Sequence, residues 1–377
     1  MIYLDNAATT FPKPDCVPER IEHILREVGG NPGRGGHRLS LEASRVVFNA
    51  REKLAGLIGA PDSSRIVFTK NATEAVNIAI KGLNIEPGGH VITSSFEHNS
   101  VVRTLKRLES GGVEVTKVRP DRDGFLSPAD IEGAIKETTA LVCVCHASNV
   151  FGAIQPVKDI GALCKRKGVK FMVDSAQTAG AIPIDVQAMN MDLMASTGHK
   201  ALFGPQGTGF LYVGAGIELT PLVDGGTGEA DSVLDMPERL EAGTMNTPGI
   251  GGLLAGVEFV LSEGVARIRE YEIGLIKGLI EGLHSIEGLE ITGTHDARFR
   301  TSLVAFNIEG LDPVEAGIKL DGDFSIMLRC GTHCAPDAHR EARTHPHGSI
   351  RVSPGYFSKP ADIEEFLRAI TILAKMR

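Results

Sequence analysis

Residues 196–209 read STGHKALFGPQGTG. One lysine, Lys200, sits in a turn with Gly198, Gly204, Pro205, Gly207 and Gly209, between the apolar runs MDLMA (191–195) and FLYV (210–213). Two short apolar runs joined by so tight a turn read as neighbouring strands with no helix between them. A lysine there stands at the edge of a sheet beside buried segments, a costly place for a charge without a purpose.

Working outward, five more apolar runs precede the turn, most of them followed by an amphipathic stretch. RIVFT (65–69) precedes ATEAVNIAIKGL, HVITS (90–94) precedes HNSVVRTLKRLE, and VEVTKV (113–118) precedes SPADIEGAIKE. ALVCVCHAS (140–148) precedes PVKDIGALCKRKG, and VKFMVDSA (169–176) completes the set. Such alternation predicts an α/β fold, a mainly parallel sheet of seven strands covered on both faces. Beyond residue 250 one long helical stretch is expected from Gly251 to His284, then short strands and a final helix from Pro360. That texture predicts a smaller α+β domain. The expected division is a large domain over 15–249 and a small domain built from 1–14 and 250–377.

A chain of 377 residues exceeds what one core usually serves. Hydrophobic content of 42% and charged content of 23% are ordinary for a soluble protein. A net charge of -8 argues against nucleic acid and against a membrane surface as partners. No apolar run reaches the ~20 residues of a spanning helix. The opening MIYLDNAATT lacks the pattern of a signal peptide. Six cysteines without such a signal predict reduced thiols in a cytoplasm.

In parallel sheets ligands bind at the carboxyl ends of strands. Those ends offer Thr73 as a candidate helix cap beside an anion site, then His98, Asn149, Asp174 and Gln177. The quoted turn adds Ser196, Thr197, His199 and Lys200. An anion site, an imidazole, a carboxylate, an amide and an amine together match the needs of pyridoxal phosphate (PLP).

The segments YLDNAATT (3–10), TKNATEAVN, EHNS, HASNVFGAIQPV, VDSAQTAG, STGHKALFGPQGTG, EAGTMNTPGI and LRCGTHCAP follow one another in this order. In these the chain resembles the fold-type I PLP enzymes of the class V aminotransferase group, and among them the cysteine desulfurases and selenocysteine lyases. The resemblance implies that Lys200 is the Schiff-base lysine, Asp174 the partner of the pyridinium nitrogen, Gln177 the donor to the ring oxygen and His98 the residue stacked on the ring. It implies a phosphate cradle of Ala72, Thr73, Thr197 and His199. Asn149 would lie near the ring oxygen and substrate. Gly243 and Thr244 would reach the phosphate from a second subunit, which implies a homodimer with a shared active site. Arg351 resembles the clamp on the substrate α-carboxylate. Arg34 aligns with an arginine near the substrate, but Gly33 precedes it where the family often has histidine, and the part of nearby His37 stays open.

The motif LRCGTHCAPDAHR (328–340) separates the reactions. Cys334 aligns with the family's catalytic cysteine in the short form of the loop, similar to the SufS-like group II rather than the NifS/IscS-like group. The resemblance implies a desulfurase that moves sulfur from L-cysteine to Cys334 as a persulfide and releases L-alanine, with sulfur passing to an acceptor protein, as in iron–sulfur cluster assembly. L-Selenocysteine is an alternative substrate, and a transaminase or epimerase on the same fold an alternative enzyme. A cation such as His333 is expected to favour the thiolate of Cys334. Cys330, Cys143, Cys145, Cys16 and Cys164 are expected to pack. No metal is expected, because the spacing of Cys330, His333, Cys334 and His339 fits no common zinc site.

Overall fold

The computed structural model describes residues 1–33, 35–226 and 235–375. In chain order the first part holds β1 (Ile2–Tyr3), α1 (Cys16–Glu27), α2 (Arg38–Leu57), β2 (Ile66–Thr69), α3 (Ala72–Gly82), β3 (His90–Ser94) and α4 (Asn99–Glu109). It continues with β4 (Glu114–Val118), α5 (Pro128–Ala134), β5 (Thr139–Cys145), α6 (Val157–Lys167), β6 (Lys170–Asp174), β7 (Leu193–Thr197) and β8 (Gly209–Val213). The sheet runs β2-β8-β7-β6-β5-β3-β4. Its ladders are parallel from β4 to β7, and β8 lies antiparallel to both β7 and β2. The seven strands expected from the apolar runs are these seven. Every residue of β6 after Lys170 and all of β7 and β8 is buried, as strands covered on two faces must be.

The turn around Lys200 is the β7–β8 hairpin connection, with Thr197 opposite Gly209. Gly209 is required there: a Cβ at this position would stand 2.8 Å from the Asn71 backbone. The missing side chain lets the amino end of α3 close onto the hairpin.

The second part holds α7 (Thr247–Glu263), α8 (Val265–His284), β9 (Leu289–Ile291), β10 (Val304–Ile308), α9 (Pro313–Phe324), β11 (Ile326–Met327), β12 (Arg329–Gly331), α10 (Pro336–Glu341), β13 (Ser349–Val352) and α11 (Pro360–Lys375). An antiparallel sheet, β12-β13-β10-β9, packs its core of Phe306, Ile350 and Val352 against Leu279 and Leu283 of α8 and Phe366 of α11. β1 pairs with β11 and Asp5 bridges Ser353, so the amino-terminal residues join this part.

The single long helix expected from Gly251 to His284 is two helices bent by 80°. Gly264 sits between them at φ +83, a conformation that ends a helix. Ile250, Leu253 and Val257 of α7 belong to the large core, whereas Leu275, Ile276 and Leu279 of α8 belong to the small one. Residue 250, where the second domain was expected to begin, lies in the first turn of α7. Among the described residues no single helix is long and apolar enough to cross a membrane.

Candidate active site

The carboxyl ends of β5, β6 and β7 open into a cleft of about 210 Å³. Ala72, Thr73, His98, Asn149, Asp174, Gln177, Thr197, His199, Lys200 and Arg351 all line it. Residues far apart in the chain, named from the strand ends and from the family resemblance, are therefore brought together.

Lys200 stands at the turn's inner side. Burial is the main cause that pushes its ammonium down to about 8; Asp174 opposes the shift, and Arg351 and Arg329 add to it. The backbone behind it is clamped by the amino-terminal segment. The Thr10 amide (3.0 Å), the Thr9 hydroxyl (3.2 Å) and the Lys13 ammonium (2.7 Å) all donate to the carbonyl of His199. The Thr10 hydroxyl donates to the carbonyl of Lys200 at 2.9 Å. The sequence reading missed this clamp, although Thr9 and Thr10 lie within YLDNAATT.

The cap of α3 is Asn71, not Thr73: its side chain accepts from the Glu74 amide at 2.9 Å. Asparagine fills the position more readily than the threonine two residues on. Ala72 and Thr73 thus form the first turn, whose amides lack helical partners and suit an anion. Across the cleft the Nδ1 of His199 is buried without a hydrogen-bond partner. Burial, with Lys200 and Lys13 nearby, pushes this imidazole down to about 4, so it is neutral and able to donate.

Asp174 ends β6, and its Oδ1 accepts from the Ala176 amide at 3.0 Å. Behind it lies Glu97, which the sequence reading passed over inside EHNS. Its Oε1 accepts from Ser94 and, at 2.9 Å, from the amide of Cys145, the residue paired with Asp174 across the sheet. Its Oε2 is buried and unpartnered. Burial, reinforced by Asp174 and opposed by the hydrogen bonds, pushes the Glu97 carboxyl up to about 8. His98 caps α4, its Nδ1 accepting from the Ser100 amide at 3.1 Å, so the neutral ring carries its proton on Nε2. Burial lowers its pKa, and Asp174 works the other way. Gln177 donates to the Ala7 carbonyl at 3.1 Å.

Arg351 is no surface ion pair: it is 1% exposed. One limb donates to Asp5 at 2.9 Å and the other to the carbonyl of Asn149 at 3.2 Å, while Nε is buried and unpartnered. Asp5 was not foreseen as its partner. Asn149 itself donates to the carbonyl of His333 at 2.7 Å.

Cys334 lies on an adjoining cleft that shares Thr73, His98 and Ser100 with the first. The cation beside it is Arg329, whose Nη2 donates to the sulfur at 3.2 Å. His333 does not fill that role. Burial first, then the nearby Arg351, hold its imidazole down to about 2, so it is neutral. Cys330 packs on α9, where a Cβ at Gly317 would meet its sulfur at 2.7 Å, and burial pushes its thiol up to about 12. Cys143 and Cys145 are buried in β5, with thiols raised by the same cause. Gly243 and Thr244 line a separate cleft with Thr69 and Lys70, away from Lys200. Arg34 lies outside the described residues. His37 caps α2, accepting from the Ser40 amide at 3.3 Å. Among the described residues no group of three or more potential ligands forms a metal site.

The family model Aminotransferase class-V matches residues 2–366. A probable cysteine desulfurase of Methanothermobacter thermautotrophicus is 38% identical over 96% of this chain and 92% of that protein. The cysteine desulfurase IscS of Shewanella denitrificans is 36% identical over 98% of this chain and 92% of that protein. Among solved structures, the apo cysteine desulfurase of Thermococcus onnurineus NA1 superposes with a TM-score of 0.94 at 34% identity, covering 100% of this chain and 95% of that one. With the family model spanning nearly its whole length, the chain belongs to the aminotransferase class-V family and stands among its cysteine desulfurases.

Proposed function

We propose that this enzyme takes sulfur from L-cysteine onto Cys334 and releases L-alanine, using pyridoxal phosphate held in the cleft around Lys200. The carrying observation is a half-buried thiol with a guanidinium 3.2 Å away, on a cleft adjoining that of a lysine whose ammonium is destabilised. The residues present fit the cofactor. The first-turn amides of α3, Thr73, Thr197 and the orphaned Nδ1 of His199 suit its phosphate, and Asp174 suits its ring nitrogen. Bound there, pyridoxal phosphate supplies an electron sink for the α-carbon of the amino acid.

The chain's own groups do the rest. Lys200 would anchor the cofactor, and its amine is placed to hold the proton that leaves the α-carbon. Arg351, already oriented by Asp5, offers its unpartnered Nε and the second hydrogens of its two limbs to the substrate carboxylate. His98, with its proton on Nε2, would flank the cofactor ring, and Gln177 and Asn149 would serve its ring oxygen. The Cys334 thiolate attacks the substrate sulfur. The carbon–sulfur bond breaks and a sulfur–sulfur bond forms, so that one cysteine and one thiol become one alanine and one persulfide. Arg329 donates to the attacking sulfur and holds it in place.

Selenocysteine would meet the same residues. Gly243 and Thr244 line a cleft other than that of Lys200, which supports a homodimer in which each copy completes the other's phosphate site. The persulfide then passes to an acceptor protein. The free cysteines favour a reducing compartment, and we place the enzyme in the cytoplasm.

The test is alanine release from cysteine together with persulfide detected by mass on the Cys334 peptide. Cys334→Ala should retain cofactor and lose both. Turnover of cysteine by that variant at the wild-type rate, or a keto acid in place of alanine from the wild type, would overturn the reading.

A further inference from the structure

His333 and Cys334 both adopt left-handed backbone conformations, at φ +51 and +59. Two successive residues with side chains in that region store strain, and something must hold them there. The Asn149 side chain donates to the His333 carbonyl at 2.7 Å, and the Asn99 amide donates to the Cys334 carbonyl at 2.9 Å. The third hold runs through imidazoles.

The Nε2 of His333 lies 3.2 Å from the carbonyl of Arg329. A carbonyl only accepts, so this nitrogen carries the proton. The Nδ1 of a neutral His333 must then accept, and its partner is the Nε2 of His339 at 3.2 Å. His339 therefore carries its proton on Nε2, and its Nδ1 accepts from the Thr344 hydroxyl at 2.7 Å. Each assignment forces the next, in one direction, from Thr344 to Arg329. A second proton on either ring is opposed by burial. His339 is fully buried and pushed down to about 4, by burial first and then by His345 and Arg351. The chain ends on the residue whose guanidinium donates to Cys334.

We infer that His339 is a positioning residue for the thiol of Cys334, acting through the tautomer and orientation of His333. The inference rests on the reactive role proposed for Cys334.

The test compares His339→Gln with His339→Phe in the full-length protein carrying its cofactor. Glutamine can donate to His333 and accept from Thr344; phenylalanine fills the space and does neither. The readouts are the rate at which iodoacetamide alkylates Cys334 without substrate, and kcat and KM for alanine release. His339→Phe should lower the alkylation rate and kcat by about tenfold, the size of one lost buried hydrogen bond, with KM and cofactor content unchanged. His339→Gln should stay within about twofold of wild type, since it keeps both hydrogen bonds. Wild-type alkylation and kcat in His339→Phe, or equal losses in both variants, would overturn the inference. Should His339→Phe fail to fold, Thr344→Val removes only the terminal donor. It should give the same split more weakly, and wild-type values there would also overturn the inference. Absence of alanine from the wild type, with the alkylation pattern intact, would remove the desulfurase reading and leave the positioning role standing.

Discussion

The guanidinium of Arg329 donates to the sulfur of Cys334 across 3.2 Å. That hydrogen bond fixes where the sulfur sits. Arg329→Met removes the donor and should slow Cys334 alkylation and alanine formation by about tenfold, the size of one lost hydrogen bond to a charged group. Alkylation rates and alanine release check this; wild-type rates in the variant would show that the guanidinium does not position the thiol.

Lys200 sits near a pKa of 8 in the cofactor-free protein, mainly because burial disfavours its charge. The free amine is what captures an aldehyde. Capture of pyridoxal phosphate by cofactor-free protein should be about tenfold faster at pH 9 than at pH 7, following the fraction of neutral amine. Lys200→Ala should show no covalent capture and no turnover, while the phosphate cradle still retains some cofactor. Stopped-flow absorbance at a series of pH values, and borohydride fixation, are the measurements.

Burial holds the Glu97 carboxyl of the folded chain up at about 8, against an ordinary value of 4.5. Between those values the folded chain holds a proton that the unfolded chain has lost. The residue's favourable contribution is thus present below pH 4.5 and disappears as the pH rises toward 8. Glu97→Gln keeps an oxygen for the Cys145 amide and cannot ionise. Urea midpoints of the cofactor-free protein should be nearly equal at pH 5 and higher for the variant at pH 8.5. A variant less stable at the higher pH would show that the carboxylate form is the one the fold supports.

Arg351→Lys keeps a charge beside Asp5 but loses the planar fork. We expect kcat/KM to fall roughly ten- to a hundredfold for every amino-acid substrate, the size of a lost charge-assisted hydrogen bond, with cofactor content unchanged. A fall confined to cofactor content would make the residue structural.

The parallel sheet was legible because each strand is a short apolar run bounded by turn residues, and burial on two faces leaves no other composition for β6, β7 and β8. The cleft followed, since strand ends fix where Asp174, Asn149 and Lys200 emerge. Geometry that depends on packing was not legible. The helical pattern runs through Gly264 without a break, and only the two cores it must serve force the bend. Asn71 and Thr73 are both fair caps by type, and only the placement of Gly209 against Asn71 fixes where α3 begins. His333 reads as a cation next to a cysteine until burial shows it neutral, and Arg329 then takes its place from five residues upstream. Asp5 gives no hint in sequence of an arginine so far away.

The amino-terminal strand also fixes the timing of assembly. Asn6 donates to the carbonyl of Ser353, 347 residues downstream, and Asp5 pairs with Arg351. A ribosome adding roughly 5–20 residues per second keeps residues 1–6 waiting for tens of seconds before these partners emerge. The large sheet, complete by Val213, is free to form well before then. Such distant pairing is closed late because its chain entropy is spent before any contact returns it. The clamp proposed for the substrate carboxylate is therefore closed only after residue 353 has emerged. On the proposed reading, a chain stalled before that point could already present Lys200 to the cofactor, yet would have no means of gripping an amino acid.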